Sequence, residues 1–138
     1  MRLEGDAARA RLMAADHAVL CTTHEVRGVD AVPVCFSIAG DLVAIPVDTV
    51  KPKESPRLQR VRNLERDPRA ALLCEQWDGR DWSRLWWVRA AMTRSSTDDA
   101  GREELVELLR AKHRQYATAP FAQLLIFRIG EITGWSAV

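Results

Sequence analysis

Seven Lys or Arg stand against three acids in the run from Lys51 to Arg69, KPKESPRLQRVRNLERDPR, in a chain whose formal net charge is only +1. Positive charge gathered in one place is the signal of an anionic ligand, a phosphate or a carboxylate. Lys51, Lys53 and Arg57 precede or open a helical pattern over residues 57–66, where cations add to the pull of a helix N-terminus on an anion. Arg60 and Arg62 sit on opposite shoulders of that helix's apolar arc. Arg62 and Arg66 are like charges four apart, which slightly destabilises a helix unless an anion or acid lies nearby. The same residues also admit a solvated helix whose arginines pair with Glu54, Glu65 or Asp67 across the surface.

A second feature is DWSRLWWVR, residues 81–89. Strand periodicity there predicts Trp82 and Trp86 on one face and Trp87 with Arg89 on the other. Tryptophan on both faces means that at least one meets something other than a core, either a subunit interface or a flat aromatic cofactor. Other chemistries are missing. No Ser, Cys or Thr nucleophile has a credible base, no carboxylates pair, and there is neither a phosphate-binding glycine loop nor a dinucleotide fingerprint. An enzyme built this way leaves the hard chemistry to a bound cofactor.

Cys21, Cys35 and Cys74 are odd in number, far apart and set in apolar runs, which fits buried reduced thiols rather than disulfides. His17, His24 and His113 have no Cys, His or carboxylate at ligand spacing, so no metal site is expected. A near-neutral total charge argues against a general nucleic-acid coat. At 138 residues, 47% hydrophobic and 28% charged, the chain reads as one domain over residues 1–138. No segment approaches the ~20 uninterrupted apolar residues of a membrane helix. The N-terminal MRLEGDAARARLMAAD is charged throughout, so neither signal peptide nor anchor is expected, and the expected compartment is the cytoplasm.

The elements that must position these residues are legible as patterns. Residues 5–15 favour a helix and His17 to Thr23 a strand. Val32, Val34, Phe36 and Ile38 alternate as one strand with a buried face, Gly40-Asp41 supplies a hairpin turn, and LVAIPV runs back. Pro33 and Pro46 must each lie where the nitrogen faces no neighbouring strand. In the basic run Leu58, Val61 and Leu64 fall within a ~120° arc, and Asp67-Pro68 ends the helix. Strands follow from Ala70 to Trp77 and through WSRLWWVRAAMTR. Ser96 or Thr97 with Asp98 and Asp99 is expected to cap a helix carrying Leu105, Leu108, Leu109 and Lys112. LLIFRIGEITGW closes the chain as a long strand bent near Gly130. The order is helix, three strands, helix, two strands, helix, one strand. It predicts a mainly β (α+β) chain, a six-stranded antiparallel barrel with peripheral helices.

The segment RLQRVRNLERDPRAALLCEQWDGRDWSRLWWVRA resembles the split β-barrel flavin and deazaflavin oxidoreductases related to pyridoxamine 5′-phosphate oxidase, and more closely their branch that uses coenzyme F420. DTVKPK at 48–53, KHRQYATAP at 112–120 and ITGW at 132–135 extend the match over most of residues 30–138. The resemblance implies a homodimer with the cofactor at the subunit interface, and hydride transfer to an electron-poor small molecule. It implies coenzyme F420, with FMN in a flavoprotein of the pyridoxamine-phosphate-oxidase type, or a non-catalytic cofactor-binding protein, as alternatives. Arg60 stands where the family has a lysine on the cofactor phosphate, and an arginine there keeps the charge. Lys51, Lys53 and Arg57 would serve the phosphate or an acidic tail, and Trp87 and Arg89 would line the ring. Met92 stands in a stretch where the family has glycine and would narrow the space beside that ring.

Overall fold

In a computed structural model the described residues are 1–48, 58–95, 101–117 and 121–138. Along them run α1 (Gly5–Ala14), β1 (Ala18–His24), β2 (Gly28–Val34), β3 (Ser37–Ala39), β4 (Leu42–Asp48), α2 (Gln59–Arg66), β5 (Arg69–Gln76), β6 (Trp86–Arg94), α3 (Arg102–Lys112) and β7 (Phe121–Ser136). All strand pairings are antiparallel, and the order across the sheet is β2-β1-β5-β6-β7-β4-β3. The two edges of that order, β2 and β3, are consecutive in the chain with only Cys35 and Phe36 between them. At 3.8 Å per residue, Val34 and Ser37 cannot be more than roughly 11 Å apart, so the sheet must curl on itself. The barrel therefore closes through a covalent corner rather than a hydrogen-bonded ladder.

That corner corrects the expected strand count from six to seven. The alternating stretch through Val32, Val34, Phe36 and Ile38 is two strands, because it changes partners, from β1 on one side of the corner to β4 on the other. Its alternation survives the break: Val34, Phe36 and Ile38 all enter the core, and Phe36 is fully buried. Leu20, Leu72, Ala90, Val88, Ile45, Leu125 and Phe127 fill the rest of the interior. Each large apolar side chain contributes roughly 1.5–3 kcal/mol by leaving water.

The punctuation residues behave as their chemistry requires. Pro33 lies in edge strand β2, and Pro46 lies beyond the reach of β3, so each has a strand on one side only. The register of β6 on β7 slips between Ala91 and Met92, which pair with Glu131 and Ile129, leaving Gly130 as the bulge. The α3 helix starts later than its expected cap. Gly101 is the N-cap with φ +85°, and a Cβ there would stand 3.2 Å from Leu42 Cδ1, so glycine alone suits it. Ser96, Thr97, Asp98 and Asp99 lie outside the described residues. Leu105 and Leu109 pack α3 on Ala44, Leu124 and Ile126, while Leu108 is exposed.

Two helices stopper the barrel. At one end α1 buries Ala8 and Leu12 completely, and its lead-in residue Leu3 donates its N–H to the Gly134 carbonyl at 3.0 Å. A Cβ at Gly134 would meet the Trp87 carbonyl oxygen at 3.0 Å and Leu3 Cδ1 at 3.1 Å, so the glycine of ITGW is what lets this segment approach. At the other end α2 buries Val61, Leu64 and, unexpectedly for a polar side chain, Asn63. Among the described residues no helix is long and apolar enough to cross a membrane.

Candidate functional site

The α2 helix forms because Val61 and Leu64 give it one apolar face, and it stops where Asp67 donates its N–H to the Asn63 carbonyl at 2.9 Å ahead of Pro68. Its rotation is fixed by a buried polar network. Asn63 Nδ2 donates to Thr22 Oγ1 at 3.0 Å and to Asp30 Oδ2 at 2.8 Å, while Asn63 Oδ1 accepts from Gln59 Nε2 at 2.8 Å. Arg27 closes the network with a bidentate pair on Asp30, both contacts at 2.8 Å. The arginine, and after it Asn63, holds the Asp30 carboxyl well below the usual carboxylate range.

With α2 so oriented, half-buried Arg60 lines a cavity of about 230 Å³ at the corner between β2 and β3, together with His17, Pro33, Cys35, Pro46 and Tyr116. A guanidinium, a phenol, an imidazole and a thiol thus face one space, a wall suited to an oxyanion. The corner is braced from behind by Lys112, whose Nζ donates to the Phe36 carbonyl at 3.4 Å and lies 4.0 Å from the Phe36 ring centroid. Burial pushes the Lys112 ammonium below its usual value. Burial, with Lys112 alongside, does the same to His113, whose ring meets Tyr116 edge-on at 6.0 Å. Cys74 is buried, and desolvation pushes its thiol up to about 11, so it is a packing residue rather than a nucleophile.

Trp87 and Arg89 occupy another place. Both sit on the outer face of β6, with the Arg89 guanidinium 5.2 Å from the Trp87 ring centroid. Trp82 is not on this strand: it belongs to a 3₁₀ turn, Trp82–Arg84, and packs against Trp77 with centroids 5.8 Å apart, both rings mostly exposed. The turn forms because Asp81 accepts from the Ser83 N–H and hydroxyl, which delays β6 until Trp86. Trp86 faces inward, under Arg11. Met92 also points into the core, at 3% exposure, so it does not crowd the outer face; Ala91 is the residue beside Arg89 there.

Directly opposed residues share a face of a sheet, so the registers define that outer face. One row runs Pro33, Val19, Leu73, Arg89, Thr133 and the next Ala31, Cys21, Ala71, Ala91, Glu131. The middle of the face is apolar and made of small residues. Pro33 borders the Arg60 cavity and lies on the same face as Arg89, but three strand intervals away, roughly 14 Å. The structure therefore brings Arg60 together with His17, Cys35 and Tyr116, and Trp87 together with Arg89, in two places on one face. Lys51, Lys53 and Arg57 lie outside the described residues.

The other cations of the run are held at the surface. Arg69 pairs bidentately with Asp67 at 3.1 and 2.9 Å, Arg62 donates to Gln59 Oε1 at 3.0 Å, and Arg66 donates to Thr23 Oγ1 at 2.9 Å. His17 and Cys35 escaped the sequence reading because neither has a neighbour in sequence that signals chemistry. Tyr116 had a faint signal, the loosely matched KHRQY.

No family model matches the chain, and no curated protein does. Solved structures do match. A FAD-binding protein from Mesorhizobium loti superposes with a TM-score of 0.69 at 14% identity, covering 97% of this chain and 95% of that one. An FMN-binding protein from Syntrophomonas wolfei gives 0.65 at 15% identity, over 96% and 83% of the two chains. A Corynebacterium glutamicum protein provisionally named pyridoxamine 5′-phosphate oxidase gives 0.59 at 14% identity, over 97% and 90%. At such identities the likeness is one of fold. The chain has the split-barrel fold of these flavin-binding proteins, and none of the three is described as using coenzyme F420.

Proposed function

We propose that the chain is an oxidoreductase of the split-barrel type that binds a flavin cofactor, FMN or FAD, through its phosphate at Arg60. The observation that carries this reading is the place of Arg60: half-buried, it lines a cavity with His17, Cys35 and Tyr116. When bound, such a group supplies hydride chemistry toward an electron-poor small molecule. The chain's own part is to hold the phosphate on Arg60, with Lys51, Lys53 and Arg57 as further cations, to flank the ring with Trp87 and Arg89, and to exclude water. A deazaflavin, coenzyme F420, is the second reading, favoured by the three cations that precede Arg60, which exceed the need of one phosphate and suit an acidic tail. Purified protein that is yellow and releases FMN on denaturation favours the flavin.

FMN titration followed by quenching of flavin fluorescence tests the site. Arg60→Ala should weaken binding by about 1.5–3 kcal/mol, the worth of a hydrogen bond to a charged group, or roughly 10–100-fold. Unchanged affinity returns Arg60 to the helix surface.

The apolar outer face supports a homodimer with this face between the copies. Val29 there is 62% exposed, and Ala31, Cys21, Ala71 and Ala91 form a continuous row of small residues that runs to Glu131 on β7. Sedimentation velocity should find a dimer, and Ala71→Glu, a charge at the middle of the face, should convert it to monomer. A monomeric wild type sinks the proposal.

A further inference from the structure

The basic helix has a second side that the cofactor reading leaves unused. At 100° per residue, Arg62 and Arg66 lie roughly 40° apart around α2, and Arg60 lies roughly 120–160° away from both. Their flank of the helix opens onto a separate cavity of about 250 Å³, lined by His24, Glu25, Gln59, Arg62, Asn63 and Arg66. Its volume is several times the ~30 Å³ that a water molecule occupies in the liquid.

Two like charges on one helix flank repel unless something neutralises them. The nearby carboxylates are already in use. Asp67 takes Arg69 bidentately, and Asp30 takes Arg27 bidentately as well as Asn63. Arg62 and Arg66 each have only a neutral side-chain acceptor, Gln59 Oε1 and Thr23 Oγ1, and among the described residues neither makes an ion pair. Glu25 alone adds negative charge to the cavity, leaving a surplus of one from the two guanidiniums. Each guanidinium carries five donors, and one hydrogen bond to a neutral acceptor uses only one of them.

The remaining wall is set by the turn between β1 and β2. His24 Nδ1 accepts the backbone N–H groups of both Val26 and Arg27 at 3.0 Å. An imidazole that accepts at Nδ1 carries its proton on Nε2, so this ring brings a further N–H donor. The turn and the helix are tied together beneath the cavity by Asn63, which bonds Thr22 and Asp30 at once. Donors from two elements therefore stand in a fixed relation to one another.

We propose that this flank is a second oxyanion site, in which Arg62, Arg66 and His24 Nε2–H bind a phosphate group. The phosphate belongs to a separate phosphorylated small molecule, because the phosphates of a flavin held at Arg60 lie side by side and do not reach around the helix. The site itself rests on geometry independent of the Arg60 cavity.

The test is a titration of the full chain with inorganic phosphate, read by ¹H–¹⁵N spectra at His24 Nε2 and the arginine Nε–H groups. Wild type should shift at His24, Arg62 and Arg66. Arg62→Gln and Arg66→Gln, both at exposed positions, should each lower phosphate affinity about tenfold there, whereas Arg60→Gln should leave those shifts in place. The Asn63 side-chain amide signal reports that α2 remains seated in each variant. FMN then separates the two sites: saturating FMN should leave the response of His24, Arg62 and Arg66 to inorganic phosphate in place, and its loss would assign that response to the Arg60 cavity and overturn the proposal. Absence of any response at His24, or a response unaffected by both glutamine variants, overturns the proposal.

Discussion

The two helices that stopper the barrel both pack apolar side chains on its core, and α2 adds a buried polar network to that contact. At the α1 end, Ala8 and Leu12 are fully buried among apolar side chains. At the α2 end, Asn63 sits 3% exposed and bonded to Thr22, Asp30 and Gln59. Apolar burial is non-directional, so a plug like α1 is stabilised by contact and tolerates a small rotation. Hydrogen bonds weaken steeply away from linearity, so a plug like α2 is held at one rotation and one depth. The difference matters because α2 carries cations on both flanks. A turn of a few tens of degrees would swing Arg60 out of its cavity and move Arg62 and Arg66 relative to His24. The polar end thus fixes the orientation of these cations, and the α1 end contributes stability through apolar contact.

The largest effect should come from the apolar end. Leu12→Ala removes a fully buried side chain and should cost about 2–5 kcal/mol through lost transfer energy and the cavity left behind, read as a lower urea midpoint. Where the variant is folded, its affinity for FMN should equal that of wild type. Asn63→Ala should cost less, about 1–3 kcal/mol for the buried groups left unsatisfied at Thr22 and Asp30. It should nevertheless weaken FMN binding several-fold, because Arg60 is no longer aimed. The comparison breaks if Leu12→Ala loses affinity as much as Asn63→Ala does, for then both ends would orient the site.

This contrast also marks how far the residues alone could be read. The apolar stripe of Leu58, Val61 and Leu64, the stop at Asp67-Pro68 and the bulge at Gly130 follow from local rules, and the structure has each of them. Asn63 carries no such signal. An asparagine among arginines reads as surface, and its burial depends on Thr22 and Asp30, more than thirty residues away in sequence. The division of the basic run was half legible for the same reason: helical spacing separates Arg60 from Arg62, but only the corner between β2 and β3 turns one flank into a cavity. The corner was hidden because Val34, Phe36 and Ile38 keep strand alternation straight through it. Trp82 was misplaced because the Asp81 cap that makes its turn competes locally with a strand, and a pattern of alternate tryptophans does not register that competition.

The smallest expected effect isolates the polar end by pH. Arg27 first, then Asn63, hold the Asp30 carboxyl well below its usual value, and Arg69 does the same for Asp67. Both acids anchor segments that contact α2 or follow it directly, Asp30 through Asn63 and Asp67 at the helix's own C-cap. A carboxyl whose folded pKa is depressed stabilises the fold above the unfolded value of about 4 and loses that contribution as pH falls toward the folded pKa. The part of the stability that these two acids supply should therefore be constant from neutral pH down to about 4 and then decline, by a modest amount because both pairs face solvent and are screened by salt. Asp30→Asn keeps an oxygen for Asn63 but gives up the charge that Arg27 binds, so its stability should fall less steeply than that of wild type between about pH 4 and 2. Leu12→Ala, altered at the end that carries neither acid, should keep the full wild-type slope beneath a lower plateau. Urea midpoints measured across this range decide it: if Asp30→Asn declines as steeply as wild type, the acid sensitivity belongs elsewhere and the α2 end is not the part of the barrel held by charge.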